Sequence, residues 1–183
     1  KVEFVHIQNN LSFTDVQPDA YYYDAVTWAV EKGITAGTSA TTFSPNDSCT
    51  RAQIVTFLWR AAGSPNASTN SPFTDVPVDS YYYDAVMWAV EQGITSGTSA
   101  TTFSPDATCT RAQAVTFLYR YEKSPTVSET NNFVDVDTDA YYADAVQWAV
   151  GKNVTAGTSA TTFSPNATCT RAQIVTFLYR DMA

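Results

Sequence analysis

Between Tyr22 and Val30 the apolar residues Tyr22, Ala25, Val26, Ala29 and Val30 recur at three- and four-residue spacing, which places them in one stripe on a helix. The pattern predicts a first helix that starts after Asp19, as its N-cap, and runs to about Lys32, with Gly33 as the left-handed residue that ends it. A second helix is predicted from Thr50 to Arg60. Its opening, Thr50-Arg51-Ala52-Gln53, has the spacing of a capping box, in which the threonine hydroxyl and the Gln53 side chain each satisfy an amide at the helix start. Ile54, Val55, Phe57, Leu58 and Trp59 then make this helix apolar over most of its circumference, so it belongs near the centre of the molecule. The stretch from Ile34 to Pro45 is too short and too rich in Gly, Ser and Thr for a helix. It reads as a packed loop anchored by Ile34 and Phe43.

The whole pattern is written three times. Phe13, Phe73 and Phe133 open the copies, Arg51, Arg111 and Arg171 stand near their ends, and the period is 60 residues. A unit of that size buries too little surface to be stable alone, so the copies are expected to share a core. The boundaries follow as an N-terminal extension at 1–12, a first copy with its linker at 13–72, a second with its linker at 73–132 and a third at 133–183. The connectors at 61–72 and 121–132 are polar, turn-rich and long enough to let the next copy swing about an axis. The predicted fold is mainly α: three tandem helix-loop-helix repeats closing into a pseudo-threefold trimer, with the second helices as a central three-helix bundle and the first helices and loops as lobes. An open helical solenoid is the alternative. In the third copy Asn153 stands in place of the capping glycine and Gly151 lies inside the helix, which predicts a looser helix end there.

The net charge of −8 and pI of about 4.4 exclude nucleic acid and anionic membrane surfaces as partners, since both need basic patches. No apolar run approaches the roughly 18 residues that span a bilayer, so membrane insertion is not expected. The opening Lys1-Val2-Glu3-Phe4 does not resemble a natural start, and the chain is expected to be a piece of a longer exported protein. Aromatic residues make up 14% of the chain, a composition suited both to helix packing and to contacts with sugar rings.

Cys49, Cys109 and Cys169 share one repeat position, just before the capping threonine. There a small apolar side chain can pack against the fourth residue of the helix, Ile54, Ala114 or Ile174. Buried structural thiols, a three-thiolate metal site and an intermolecular disulfide all fit that placement. His6 is the one histidine, and it lies outside the copies, so no repeated Ser/His or Cys/His arrangement exists. Asp19 and Asp24 recur as a pair but read as a cap and a solvated face. No catalytic residue, metal site or cofactor is expected.

Arg51, Arg111 and Arg171 occupy the first position of the second helices, where the macrodipole disfavours a cation by about 0.3 to 1 kcal/mol. Two readings account for placing the wrong sign there three times. The arginine and free helix amides can bind a carboxylate or other anion, or the arginine can pair with a nearby aspartate such as Asp15. Arg60, Arg120 and Arg180, in the last turn, are favoured by the dipole and read as structural. Asp15, Asp75 and Asp135 can bond a ligand or cap a turn. Gly37, Gly97 and Gly157, with Ser39, Ser99 and Ser159 two residues on, offer loop amides and hydroxyls beside the second helix.

The string FxDV, AV, WA, GIT, G, FxP, TRAQ resembles the S-layer homology module of bacterial surface proteins, and the resemblance covers residues 13 to 183. It implies a noncovalent, extracellular cell-wall anchor with a three-pronged architecture, fused to a larger surface protein or enzyme. The family's TRAE arginine lines grooves between copies and engages the acidic ketal of pyruvylated wall polysaccharide, which by resemblance assigns Arg51, Arg111 and Arg171 as anion contacts. Tyr21, Tyr81 and Tyr141 stand where the family usually has tryptophan and would stack on a sugar ring. Gln53, Gln113 and Gln173 replace the family's glutamate, which keeps the capping box but removes a carboxylate. The competing function is a protein interaction or self-assembly module, whose grooves receive a peptide or another copy of the chain.

Overall fold

The computed structural model describes residues 11–128, 130 and 132–183; most of the N-terminal extension, with His6, lies outside them. Among the described residues six helices alternate in length: α1 (Tyr23–Glu31), α2 (Arg51–Ala61), α3 (Tyr83–Glu91), α4 (Arg111–Tyr121), α5 (Ala143–Gly151) and α6 (Arg171–Met182). None is long and apolar enough to cross a membrane, among the described residues.

The longer helices start as the sequence predicts. Thr50 accepts from the Gln53 amide (3.1 Å) while the Gln53 side chain accepts from the Thr50 amide (2.9 Å), and the same box caps α4 and α6. Replacing Thr110 with Ala should therefore lower stability by about 0.5 to 2 kcal/mol. A urea denaturation curve identical to the parent's would contradict the role of the cap.

The shorter helices begin later than the sequence suggests. Asp19 is not the cap of α1; Tyr22 is, without a side-chain bond. Two successive turns, Ala20 amide to Gln17 carbonyl and Tyr23 amide to Ala20 carbonyl (both 3.0 Å), replace the first helical turn. These local bonds turn Tyr21 outward, 64% exposed. At the other end Gly33 (φ +68°) closes a Schellman motif through Gly33 to Val30 (3.0 Å) and Ile34 to Ala29 (2.8 Å). Asn153 adopts φ +57° and makes the same two bonds at 3.1 and 2.8 Å, so the looser end expected in the third copy is not found.

The helices α2, α4 and α6 pack on one another at the centre. Their starts are tied in a closed cycle: the Cys109 amide donates to Cys49, Cys169 to Cys109 and Cys49 to Cys169, at 2.8 to 2.9 Å. The third copy thus returns to the first, which an open solenoid does not do. The shorter helices dock across copies, α3 on α2, α5 on α4 and α1 on α6. Aromatic pairs mark two of these joints, Tyr119 with Trp148 and Trp28 with Tyr179, centroids 5.8 and 5.7 Å apart, while Trp88 of α3 meets Tyr121 of its own copy at 6.0 Å. A packed lobe is therefore made from two neighbouring copies, because neither short helix nor long helix can cover its apolar face within one copy.

The three cysteines are free and fully buried at this junction. Burial pushes the Cys49 and Cys169 thiols up to about 12, and Cys109 moves the same way. They behave as small apolar groups, and no group of three or more metal-ligating side chains is found among the described residues. At the far end of α6, Asp181 Oδ2 is buried without a hydrogen-bond partner. Burial first, then repulsion from Glu122, raises this carboxyl to about 7 against the pull of Lys152, with Tyr121 also close by. The fold favours the neutral acid, so its contribution to stability is full below about pH 4 and is lost as pH rises through 7. Asp181→Asn should raise the denaturation midpoint at pH 8 and leave it unchanged at pH 4.

Candidate binding grooves

Each loop between a short and a long helix is organised by its aspartate. Asp15 accepts from the amides of Phe43 (2.9 Å) and Ser44 (2.8 Å), and Asp75 and Asp135 do the same for Phe103 and Ser104 and for Phe163 and Ser164. Burial alone would raise the Asp135 carboxyl, but these two amides, with Arg111 nearby, hold it below its ordinary value. Gly37 lets the loop close on Phe13, since a Cβ there would stand 2.5 Å from both the ring and the Thr42 carbonyl oxygen. The Ser39 hydroxyl accepts from the Thr41 and Thr42 amides and so fastens the turn itself; Ser99 and Ser159 repeat this.

The Phe103 whose amide Asp75 holds presents its carbonyl to the preceding copy's arginine. Arg51 Nε donates to that oxygen at 2.9 Å, and its guanidinium carbon lies 4.8 Å from the Phe103 ring centroid and 5.4 Å from that of Phe117. Arg111 meets Phe163 and Phe177, and Arg171 meets Phe43 and Phe57, in the same way. All three arginines are buried, Arg51 to 4% exposure, and burial pulls each guanidinium down from its very high ordinary value without discharging it. None is in an ion pair with aspartate among the described residues.

Free helix amides, expected beside the arginine from the sequence, are not found in the structure: Arg51 donates to the Ala107 carbonyl (2.9 Å), Ala52 to Pro105 (3.0 Å) and Gln53 to its capping threonine. The next copy's loop caps the helix because the cyclic arrangement brings it there. An anion at this place would be met by guanidinium and loop groups, not by the helix end.

A cavity of about 280 Å³ opens beside Arg51. It is lined by Arg51 from the first copy, by Thr95, Ser96, Gly97, Thr98, Gln113, Thr116, Phe117 and Arg120 from the second, and by Tyr141 from the third. Arg51, Gly97 and Tyr141 are thus brought together as one site, whereas Asp75 and Ser99 stand outside the lining and support the loop. Tyr141 forms an edge-on pair with Tyr142, centroids 5.1 Å apart. In the other two grooves Tyr81 lies within electrostatic reach of Arg171 and Arg60, and Tyr21 of Arg180. The Arg51 groove therefore draws on all three copies, and Arg171, Arg60 and Tyr81 repeat that combination.

Arg120 is the lining residue that sequence reasoning set aside. Its favourable place in the last helical turn accounted for it, yet it donates to the Ile94 carbonyl (3.2 Å) and borders the cavity. Arg60, Arg120 and Arg180 recur at the same period as the first arginines, and that recurrence was the available signal.

The S-layer homology domain matches this chain at residues 12–55, 72–115 and 132–175. The chain belongs to the S-layer homology family. An endoglucanase of Bacillus sp. (strain KSM-635) is 32% identical over 90% of the chain, which corresponds to 18% of that protein. The surface-layer 125 kDa protein of Lysinibacillus sphaericus is 33% identical over 71% of the chain and 12% of its own length. An S-layer protein of Bacillus thuringiensis subsp. finitimus is 26% identical over 91% of the chain and 21% of its own length. The chain spans about a fifth or less of these relatives. S-layer homology domains are cell-wall anchoring modules of S-layer and other surface proteins, which places this one at the bacterial cell surface.

Proposed function

We propose that this S-layer homology unit holds a larger exported protein on the cell wall by binding an acidic polysaccharide, pyruvylated on its sugar rings, in the grooves between copies. It does so noncovalently and without catalysis. The observation that carries the reading is the Arg51 groove: a buried guanidinium with no carboxylate partner among the described residues borders a cavity shared with a second arginine and an exposed tyrosine. A fixed, partly desolvated cation attracts an anion far more strongly than a surface lysine would. The tyrosine offers a flat face to a sugar ring, while Gly97 and its neighbours offer amides and hydroxyls at the same opening. The aspartates act in this scheme by holding the loop that presents these groups.

Sedimentation with purified cell-wall preparations tests the proposal. Binding should be salt-sensitive and should fall at least tenfold after mild acid removes the pyruvyl ketals. Undiminished binding to the depyruvylated wall, or self-association of the chain in place of wall binding, would transfer support to the interaction-module reading.

A further inference from the structure

The three grooves are built to one plan but are not alike at one peptide. Gly37 and Gly97 have φ of +87° and +88°, and their amides donate to the hydroxyls of Thr35 and Thr95, each at 3.1 Å. Gly157 is outside this left-handed region. There the Thr155 hydroxyl donates to the Ala156 carbonyl (3.2 Å), and Arg111 Nη2 donates to the same oxygen at 3.0 Å. The peptide between Ala156 and Gly157 is turned so that its carbonyl meets the guanidinium. Arg111 thus holds two backbone carbonyls, from Phe163 and Ala156, whereas Arg51 and Arg171 each hold one among the described residues.

A second difference lies at the same turn. The position is Ala36 in the first copy, Ser96 in the second and Ala156 in the third. Ser96 is exposed, lines the Arg51 cavity and has no hydrogen-bond partner among the described residues.

We infer that the grooves are ranked: the Arg51 groove, with Ser96 as an added hydroxyl contact, is the principal subsite for an acidic sugar, and the Arg111 groove is filled by the protein's own Ala156 carbonyl. The inference rests on the anchor reading above. The chemistry is direct substitution, since the carbonyl oxygen occupies a terminal guanidinium nitrogen that an acidic ketal would need. A ligand entering the Arg111 groove must first turn that peptide back and break its bonds to Arg111 and Thr155. The Arg171 groove, with a free terminal fork but alanine in place of Ser96, falls between the two.

The Nε–H resonances of the three arginines give each groove its own reporter. The probe is a synthetic hexoside carrying a 4,6-pyruvyl ketal, with the neutral parent hexoside as control. The Arg51 signal should move first and saturate, and the Arg111 signal should require at least tenfold more probe. Ser96→Ala should weaken the Arg51 response about 2- to 10-fold, the scale of one neutral hydrogen bond, and leave Arg171 unchanged. Without any probe, rotation of the guanidinium group should be slower at Arg111 than at Arg51. Arg111 responding together with Arg51, or equal rotation at both, overturns the ranking while leaving the anchor reading in place. No response at any arginine overturns both.

Discussion

Replacing Arg51 with Gln is expected to weaken wall-polymer binding at its groove by about 10- to 150-fold, the loss of one charged hydrogen bond worth about 1.5 to 3 kcal/mol. The same change should also destabilise the fold, in contrast to what helix electrostatics alone predicts. Removing an unfavourable dipole contact returns about 0.3 to 1 kcal/mol. Against that, the buried Phe103 carbonyl loses its donor and the rings of Phe103 and Phe117 lose the cation between them. The charged hydrogen bond is the larger quantity, so the net change is a loss of about 1 to 2 kcal/mol. Changing all three arginines at once would remove a sizeable part of a net stability of about 5 to 15 kcal/mol. The single variants are therefore the informative ones, assayed below their own unfolding midpoints. Parent-like polymer binding by folded Arg51→Gln and Arg171→Gln would take the arginines out of the site.

Deleting the third copy, so that the chain stops at residue 132, should abolish both cooperative unfolding and binding. α6 contributes Ile174, Val175, Phe177 and Leu178 to the shared core, and each fully buried side chain of this kind is worth about 1.5 to 3 kcal/mol. Four of them amount to about 6 to 12 kcal/mol, comparable with the stability of the whole unit. The truncation also leaves α1 without its docking partner, breaks the cycle of cysteine amides and takes Tyr141 from the Arg51 groove. Calorimetry and wall sedimentation check this together. A two-copy chain with a sharp transition and retained binding would mean that the copies fold as separate bodies.

The elements that were legible from sequence are those whose cause is local. The capping box at Thr50, Thr110 and Thr170 needs only residues three apart, and the Schellman ends at Gly33 and Asn153 need only one residue tolerant of positive φ. The start of α1 was misplaced because Asp19 suits a helix cap and a turn equally well. Gln17 and Ala20 decided for the turn through bonds between backbone groups, which carry no residue signature.

In the grooves, Arg51, Gly97 and Tyr141 were legible as separate candidates, through charge, permissive backbone and exposed aromatic surface. Their meeting was not, since they come from three copies and lie 46 and 44 residues apart in turn. The free helix amides inferred beside the arginines are covered by carbonyls from the neighbouring loop, a contact between residues more than 50 positions apart. Arg120 looked fully explained by its own helix, because its relation to Arg51 exists only once α2 and α4 are side by side.

Three copies, two helices in each, the capping boxes of the longer helices and a family can be read from the chain alone, because periodicity and short-range hydrogen bonding are written within a few residues of each other. Packing settled how the copies interlock, that each arginine is a buried tie between neighbours, and that Arg111 alone among the three holds a second backbone carbonyl, that of Ala156, among the described residues. Those outcomes depend on which distant carbonyl reaches a given donor, and only the closed packing of all three copies sets those distances.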